Sequence, residues 1–280
     1  MLSNSMQFNA FYGCSYCLNQ GVSVEKGSGW VRVFRFSYPL PELRTQESTF
    51  RCAVTSTRLG KPVQGIKGAL ILFLIPFLNV ITGLIPDIMH FVFLGVVSQF
   101  INLWLGSPGQ PYYIPKSSLI DDELVNLKVP NEILRDFRNM SSHLRDWKAS
   151  EYRNFLFFYS PVALKKLFPP VYYKHWMLLV SAMRILLQKT VTVSQVENAQ
   201  LMIYKFIALI PDLYGLEHVS YNVHILLHVV EGTKNWGAPW AYSAFLYEDA
   251  DGLIKRLFHG TNSIAKQIFR NFLCGSKLRE

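Results

Sequence analysis

Two pairs of residues in this chain carry the strongest metal-binding chemistry. The first is Cys14-Ser-Tyr-Cys17, set in the stretch FNAFYGCSYCLNQ. Aromatic residues flank a tight Gly-Cys-x-x-Cys turn, a shape that presents two thiolates to one ion. The second is His224-Ile-Leu-Leu-His228. Residues four apart share one face of a helix, so both imidazoles point the same way. Two thiolates and two imidazoles complete a tetrahedral structural zinc site. About 200 residues separate Cys17 from His224, however. A conventional zinc finger has about a dozen there, so any shared site must be assembled by tertiary folding. The competing reading has the two histidines packing half-buried among Val223, Leu226 and Leu227.

Two further groups invite chemistry. Asp87-Ile-Met-His90 places a carboxylate and an imidazole on one helix face, which suits a ligand pair or a hydrogen-bonded support. An ordinary helix N-terminus explains it as well, with Asp87 complementing the dipole. Glu248, Asp249 and Asp251 follow the histidine pair by about twenty residues. Carboxylates there could hold Mg²⁺ or Mn²⁺ against phosphate oxygens, or could simply open a helix. Glu248 follows Phe245 and Tyr247 and is expected to project from a packed wall. Asp249 and Asp251 are expected to face solvent. Lys255, Arg256, Lys266 and Arg270 then form a basic run that would neutralise DNA phosphates or serve as a solvated face. The sequence has no Gly-x-x-x-x-Gly-Lys-Ser/Thr loop, no Gly-x-Ser-x-Gly elbow and no Gly-x-Gly-x-x-Gly fingerprint.

The elements that must position these residues are mostly helical in pattern. The chain has 280 residues, half of them hydrophobic, so a large core is within reach and wholesale disorder is excluded. A net charge of +9 favours polyanionic partners. Four cysteines without a secretory leader point to a reducing compartment and metal chemistry. Trp30–Phe36 alternates apolar and basic residues and predicts a short strand. Glu42–Leu59 predicts a helix and Gly60–Gly68 a loop. Gly68–Pro86 is charge-free for 19 residues, near spanning length, but Pro76, Asn79 and two glycines interrupt it. A buried strand and loop leading to a core helix over Asp87–Leu105 is the expectation, rather than a membrane span.

Beyond the Gly106–Pro115 loop, short helices are expected over Ser118–Leu127 and Asn131–Phe137. Ser150–Phe158 and Pro161–Phe168 are expected to be split at Ser160-Pro161. Val171–Lys189 predicts a longer helix. Ser194-x-x-Glu197 reads as a capping box for a helix that Pro211 ends. Ser220–Glu231, Glu248–His259 and Asn262–Leu273 complete the helices, with a loop at Gly232–Pro239 and extended chain over Ala241–Tyr247. The expected organisation is mainly α, in three parts: residues 1–66 with the Cys-x-x-Cys and a few short strands, 67–215 as a helical block, and 216–280 with the histidine pair and the acids.

Taken together, several of these segments resemble CACTA-type (En/Spm) DNA transposases and their animal relatives. FNAFYGCSYC resembles that family's Cys-x-x-Cys segment. GKPVQGIKG followed by IPDIMHFVFLGVV resembles its Asp-x-Met-His block. WKASEYRNFLFFYSPVAL, YNVHILLHVVEGTKNWGAPW and SAFLYEDADGLIKRLFHGT resemble its later blocks. The resemblance implies an RNase H-like core interrupted by a helical insertion, with the C-terminal part here a remnant of that core. It implies a nuclear DNA-cleaving and strand-transferring enzyme whose acidic triad binds two Mg²⁺ or Mn²⁺ ions. Carried over residue by residue, Cys14, Cys17, His224 and His228 would share one structural zinc, and Glu248 would be the final catalytic acid. Asp87 and His90 carry over as a signature without an assigned role.

The expected partner is DNA, with homo-oligomers possible and no small-molecule substrate, and a membrane is the less favoured partner. One departure matters. The family's two catalytic aspartates precede the Cys-x-x-Cys, whereas the thirteen residues before Cys14 contain no acid. The expectation is a transposase fragment, catalytically incomplete. The rival readings are a domesticated, non-enzymatic DNA- or protein-binding module, and a membrane-associated protein using Gly68–Leu105.

Overall fold

The computed structural model describes residues 4–124, 127 and 138–277; for residues 275–277 it describes the backbone alone. The architecture is mainly α. Among the described residues the named strands are β1 (Val22–Lys26) and β2 (Gly29–Val33), an antiparallel hairpin in which Val24 faces Val31 and Ser23 faces Arg32. The predicted strand is therefore shorter than Trp30–Phe36. It is paired with a strand that periodicity does not reveal.

Helix α1 spans Gln46–Leu59, capped by Thr45, whose hydroxyl accepts the Ser48 amide. The predicted buried strand in Gly68–Pro86 does not form. A 3-10 turn, Ile71–Leu74, is followed by loop, and Leu74 and Phe77 stand exposed. Local chemistry explains the correction. Asn79 accepts the Ile81 and Thr82 amides through its side chain and the Gly83 amide through its backbone, so the segment satisfies itself without a neighbouring strand.

Helix α2 comprises a π-wound part, Met89–Val97, and an α-helical part, Ser98–Gly106. It is apolar and long enough to cross a membrane by length and composition, and 56% of it is buried within the protein. Val92, Phe93, Val96, Val97, Phe100 and Trp104 form the centre of the core. Trp104 meets Trp176 edge-on with ring centroids 4.8 Å apart, and Phe100 packs on Phe206 at 5.4 Å. A short helix, α3, covers Ser118–Leu124. The helix expected over Asn131–Phe137 lies outside the described residues.

The expected break at Ser160-Pro161 is absent. Ala149–Asn154, Phe155–Tyr159 and Ser160–Leu167 join end to end as one helix, α4, with its middle part π-wound. Pro161 has no N–H to offer the carbonyl of Phe157 four residues back. Arg184, on helix α5 (Pro170–Leu186), donates its guanidinium to that carbonyl instead. Ser160 hydroxyl donates to the Leu156 carbonyl at 3.0 Å and accepts Trp176 Nε1–H at 2.8 Å. A tertiary donor thus replaces the missing local one, which sequence periodicity does not show.

Helix α6 runs Val193–Tyr214. Its capping box is Thr192 with Gln195, two residues earlier than Ser194 with Glu197. The helix also passes Pro211 by almost one turn. Helix α7 is Tyr221–Trp236, capped by Ser220 and longer than expected. Gly232 permits this: a Cβ there would sit 3.1 Å from Ile85 Cγ2. The Ala241–Tyr247 stretch is not extended. A 3-10 turn over Pro239–Tyr242 leads into helix α8, Ala244–Lys255, so Glu248 lies in its second turn rather than its first. Helix α9, Ile264–Lys277, is the last described element. One contiguous core runs from Cys14 to Val230 and takes in the hairpin and α2 to α7.

His175 is buried against Phe206, donating Nε2–H to its carbonyl at 2.8 Å. Burial pushes its pKa from 6.5 down to about 4, more than this hydrogen bond restores. Folding therefore favours the neutral ring. The stability this contributes is complete above pH 6.5 and is lost as pH falls through about 4, on the order of 3 kcal/mol in all. Urea unfolding midpoints should fall more steeply over that window in the wild type than in His175→Gln; equal slopes would contradict this. Replacing Arg184 by Met should cost about 1–3 kcal/mol by leaving the Phe157 carbonyl unpaired. An unchanged unfolding midpoint would count against its role.

Candidate metal centre

The Cys-x-x-Cys lies in a loop whose entry requires glycine: a Cβ on Gly13 would sit 2.4 Å from the Gln7 carbonyl oxygen. The Tyr16 amide points at Cys14 Sγ, 3.4 Å away. A short bridge pairs Cys17 with Leu43, so the Leu18 amide donates to Glu42 and the Arg44 amide to Tyr16. Arg44 fixes the loop from beneath. Its buried guanidinium donates Nε–H to the Cys14 carbonyl at 2.9 Å and Nη2–H to the Tyr12 carbonyl at 3.2 Å.

Opposite this loop, α7 presents His224 and His228, both buried. Cys14 Sγ is 3.4 Å from His228 Nε2, and Cys17 Sγ is 3.3 Å from His224 Nε2. The two Nε2 atoms are 3.3 Å apart, and all four ligand atoms lie within 4.8 Å of one another. Tetrahedral coordination at about 2.3 Å to sulfur and 2.0–2.1 Å to nitrogen implies N–N and S–N edges of roughly 3.3–3.6 Å. The observed separations match that spacing. This group could hold a metal ion.

Electrostatics point the same way. Burial alone pushes the Cys14 thiol up, but hydrogen bonds with Cys17, His224 and His228 outweigh it and hold its pKa well below the thiol range. The hydrogen bond to Cys14, together with burial, pushes Cys17 strongly up. Burial works to lower His228, yet Cys14 and Glu231 overcome it and raise it to about 9. In the metal-free protein the site therefore favours a Cys14 thiolate beside a cationic His228, with Cys17 keeping its proton. A divalent cation held by these atoms would displace two protons, one from Cys17 and one from His228, and supply the charge that two thiolates need.

Several supports are not legible in the motifs themselves. Glu231 Oε2 lies 2.8 Å from His228 Nδ1, leaving Nε2 as the nitrogen that faces the thiols. Glu231 follows His228 by three residues on the same helix, a spacing that could have flagged it. Phe34 stacks on His224 with centroids 5.1 Å apart, and Tyr16 lies 5.0 Å from His228. Nothing in the sequence pairs those rings or identifies Arg44.

Asp87, His90 and Glu248 come together at a second place. Asp87 Oδ2 contacts His90 Nδ1 at 2.6 Å and also accepts the His90 amide. Asp87 Oδ1 accepts the Ala244 amide at 2.8 Å, pinning the first turn of α8. Burial raises the Asp87 pKa, but the Ala244 amide and the His90 hydrogen bonds prevail and lower it. His90 Nε2 then stands 4.0 Å from Glu248 Oε1, on a solvent-exposed surface. Glu248 is not part of the four-residue group. Asp249, Asp251, Lys255, Arg256, Lys266 and Arg270 are all exposed. No protein-family model, curated protein or solved structure matches this chain.

Titrating the metal-free chain with a divalent transition metal should give one tight ion per chain. Cys17→Ser should abolish tight binding, and Glu231→Gln should weaken it about 10–100-fold. Loading should fall on acidification, because ligand deprotonation accompanies binding. Tight binding that survives Cys17→Ser would place the ion elsewhere.

Proposed function

We propose that this chain is the C-terminal part of a CACTA-type DNA transposase, incomplete for catalysis by itself. The observation that carries this reading is the closure of Cys14, Cys17, His224 and His228 onto one point. The family resemblance implies that closure, and the long separation in sequence gives no local reason for it. Zinc is the metal the donor set favours, since two thiolates and two imidazoles in a closed, buried tetrahedron suit a structural Zn²⁺ without an open position. Its role is to clamp α7 to the N-terminal loop.

On this reading, α7 and α8 belong to the remnant of an RNase H-like core, and Glu248 is the final acid of the triad. Asp87 acquires a role: it orients His90 toward Glu248 and fixes the start of the helix that carries Glu248. In the intact parent, Mg²⁺ or Mn²⁺ would supply Lewis-acid activation of the DNA phosphate. Two-metal chemistry needs carboxylates on both sides of the ion pair. Among the described residues, the group placed to share one ion is Cys14, Cys17, His224 and His228, and Glu248 lies outside it. The partner is DNA in the nucleus, with self-association compatible, and the +9 charge supports phosphate binding.

The test is DNA binding as a function of salt. Replacing Lys255, Arg256, Lys266 and Arg270 together by Ala should weaken duplex binding and reduce the log–log salt slope by roughly 3–4, at about 0.9 for each phosphate no longer neutralised. Affinity and slope unchanged by the replacement would remove these residues from the interface. Absence of any DNA binding would sink the reading. With Mg²⁺ or Mn²⁺ the chain should leave supercoiled DNA uncut; cleavage abolished by Glu248→Gln would refute its incompleteness.

A further inference from the structure

A cleft of about 580 Å³ opens between the β1–β2 hairpin and the start of α7, well within the range of small-ligand sites. The exposed rings of Phe8 and Trp30 rim it, and Phe91 and Tyr221 line it. Tyr221 ties the aromatic set together, with Phe8 at 5.8 Å and Phe91 at 6.0 Å. Trp30 is 69% exposed and Phe8 57%, so together they give the cleft an apolar rim. It shares a sheet face with Arg32, because alternate residues of β2 point the same way. Val24 and Val31 on the opposite face pack against the core.

Arg32 supplies the charge. Its guanidinium lies 3.9 Å over the Phe11 ring and donates Nε–H to the Asn9 carbonyl at 3.5 Å, with Nη1 buried and without an acceptor, so a phosphate would be met by the guanidinium's remaining edge. The first turn of α7, a 16-residue helix, also lines the cleft and adds a field that favours a phosphate. Asn9 and Asn222 bring carboxamides capable of both donating and accepting. Glu25 pairs across from Trp30, but Lys26, Arg32 and Arg35 outnumber it on and beside the hairpin.

We propose that this cleft binds an unpaired nucleobase of a single-stranded nucleic acid, stacked on Trp30, with Arg32 on the adjoining phosphate. The chemistry is sequence-tolerant stacking plus a cation, which is how single strands are held without base-specific readout. A duplex is excluded because its π-faces are covered by neighbouring pairs, and a recessed cleft does not reach them. The inference rests on the DNA reading above and adds a strand state and a location to it. It places single-strand contact on the hairpin side, separate from the basic run of α8 and α9.

The test uses the full, metal-loaded chain and a 12-nucleotide single strand carrying one 2-aminopurine, alongside the matching duplex. Binding should quench the probe. Trp30→Ala should weaken single-strand binding about tenfold, and Trp30→Phe should keep most of it. Duplex affinity should stay within about twofold in both variants. Arg32→Gln should weaken single-strand binding and lower its salt dependence. Because Trp30 is exposed, circular dichroism should confirm that its variants fold as wild type. Single-strand affinity unchanged in Trp30→Ala would overturn the inference. Displacement of the oligonucleotide by dAMP at equal concentration would also overturn it, by making the cleft a mononucleotide site. Duplex binding without single-strand binding would overturn it while leaving the DNA reading intact; loss of both would remove both.

Discussion

Four ligand atoms meeting in the protein interior form the constraint on which the rest of the structure depends. Two thiols and two imidazole nitrogens, contributed by a loop near one end of the chain and a helix near the other, converge within 4.8 Å. Without a cation, that arrangement is served by one shared proton and a thiolate–imidazolium contact buried away from water. Buried charges of that kind are stable only when fully paired. The surroundings are built to supply pairing: Glu231 behind His228, Arg44 beneath the Cys14 loop, and Phe34 flat against His224. The helix that carries the two histidines also packs against α2 and α6 in the core.

From that anchor the remaining architecture follows by packing. Helix α2 is apolar enough for a membrane yet serves as the hydrophobic axis, with Trp104 and Phe100 against α5 and α6. Asp87 stands just before this helix and His90 lies in its first turn, so the core axis and the exposed His90–Glu248 contact share one element. Asp87 uses one oxygen for His90 and the other for the first turn of α8. A carboxylate with the sequence context of an ordinary helix start is therefore a junction between two helices.

Much of this was legible in the residues. The Cys and His pairs advertised a tetrahedral donor set, and helical periodicity located most of the helices. What the sequence could not show was tertiary compensation. Pro161 breaks a local hydrogen bond, and only folding brings Arg184 to replace it. Gly232 has the character of a stop but serves as a close approach to Ile85. Gly68–Pro86 has strand-like composition, but Asn79 closes it into turns and no partner strand lies beside it among the described residues. Glu248 sits in a second turn rather than a first because Ser243 and Asp87 start the helix earlier than its acids suggest.

The most direct test of the central claim is X-ray absorption at the zinc edge of the protein purified without added metal. A single zinc site should show two sulfur neighbours at about 2.3 Å and two nitrogen neighbours at about 2.0–2.1 Å. In Cys14→Ser/Cys17→Ser the sulfur shell should vanish. A zinc spectrum with only oxygen and nitrogen neighbours would contradict the account.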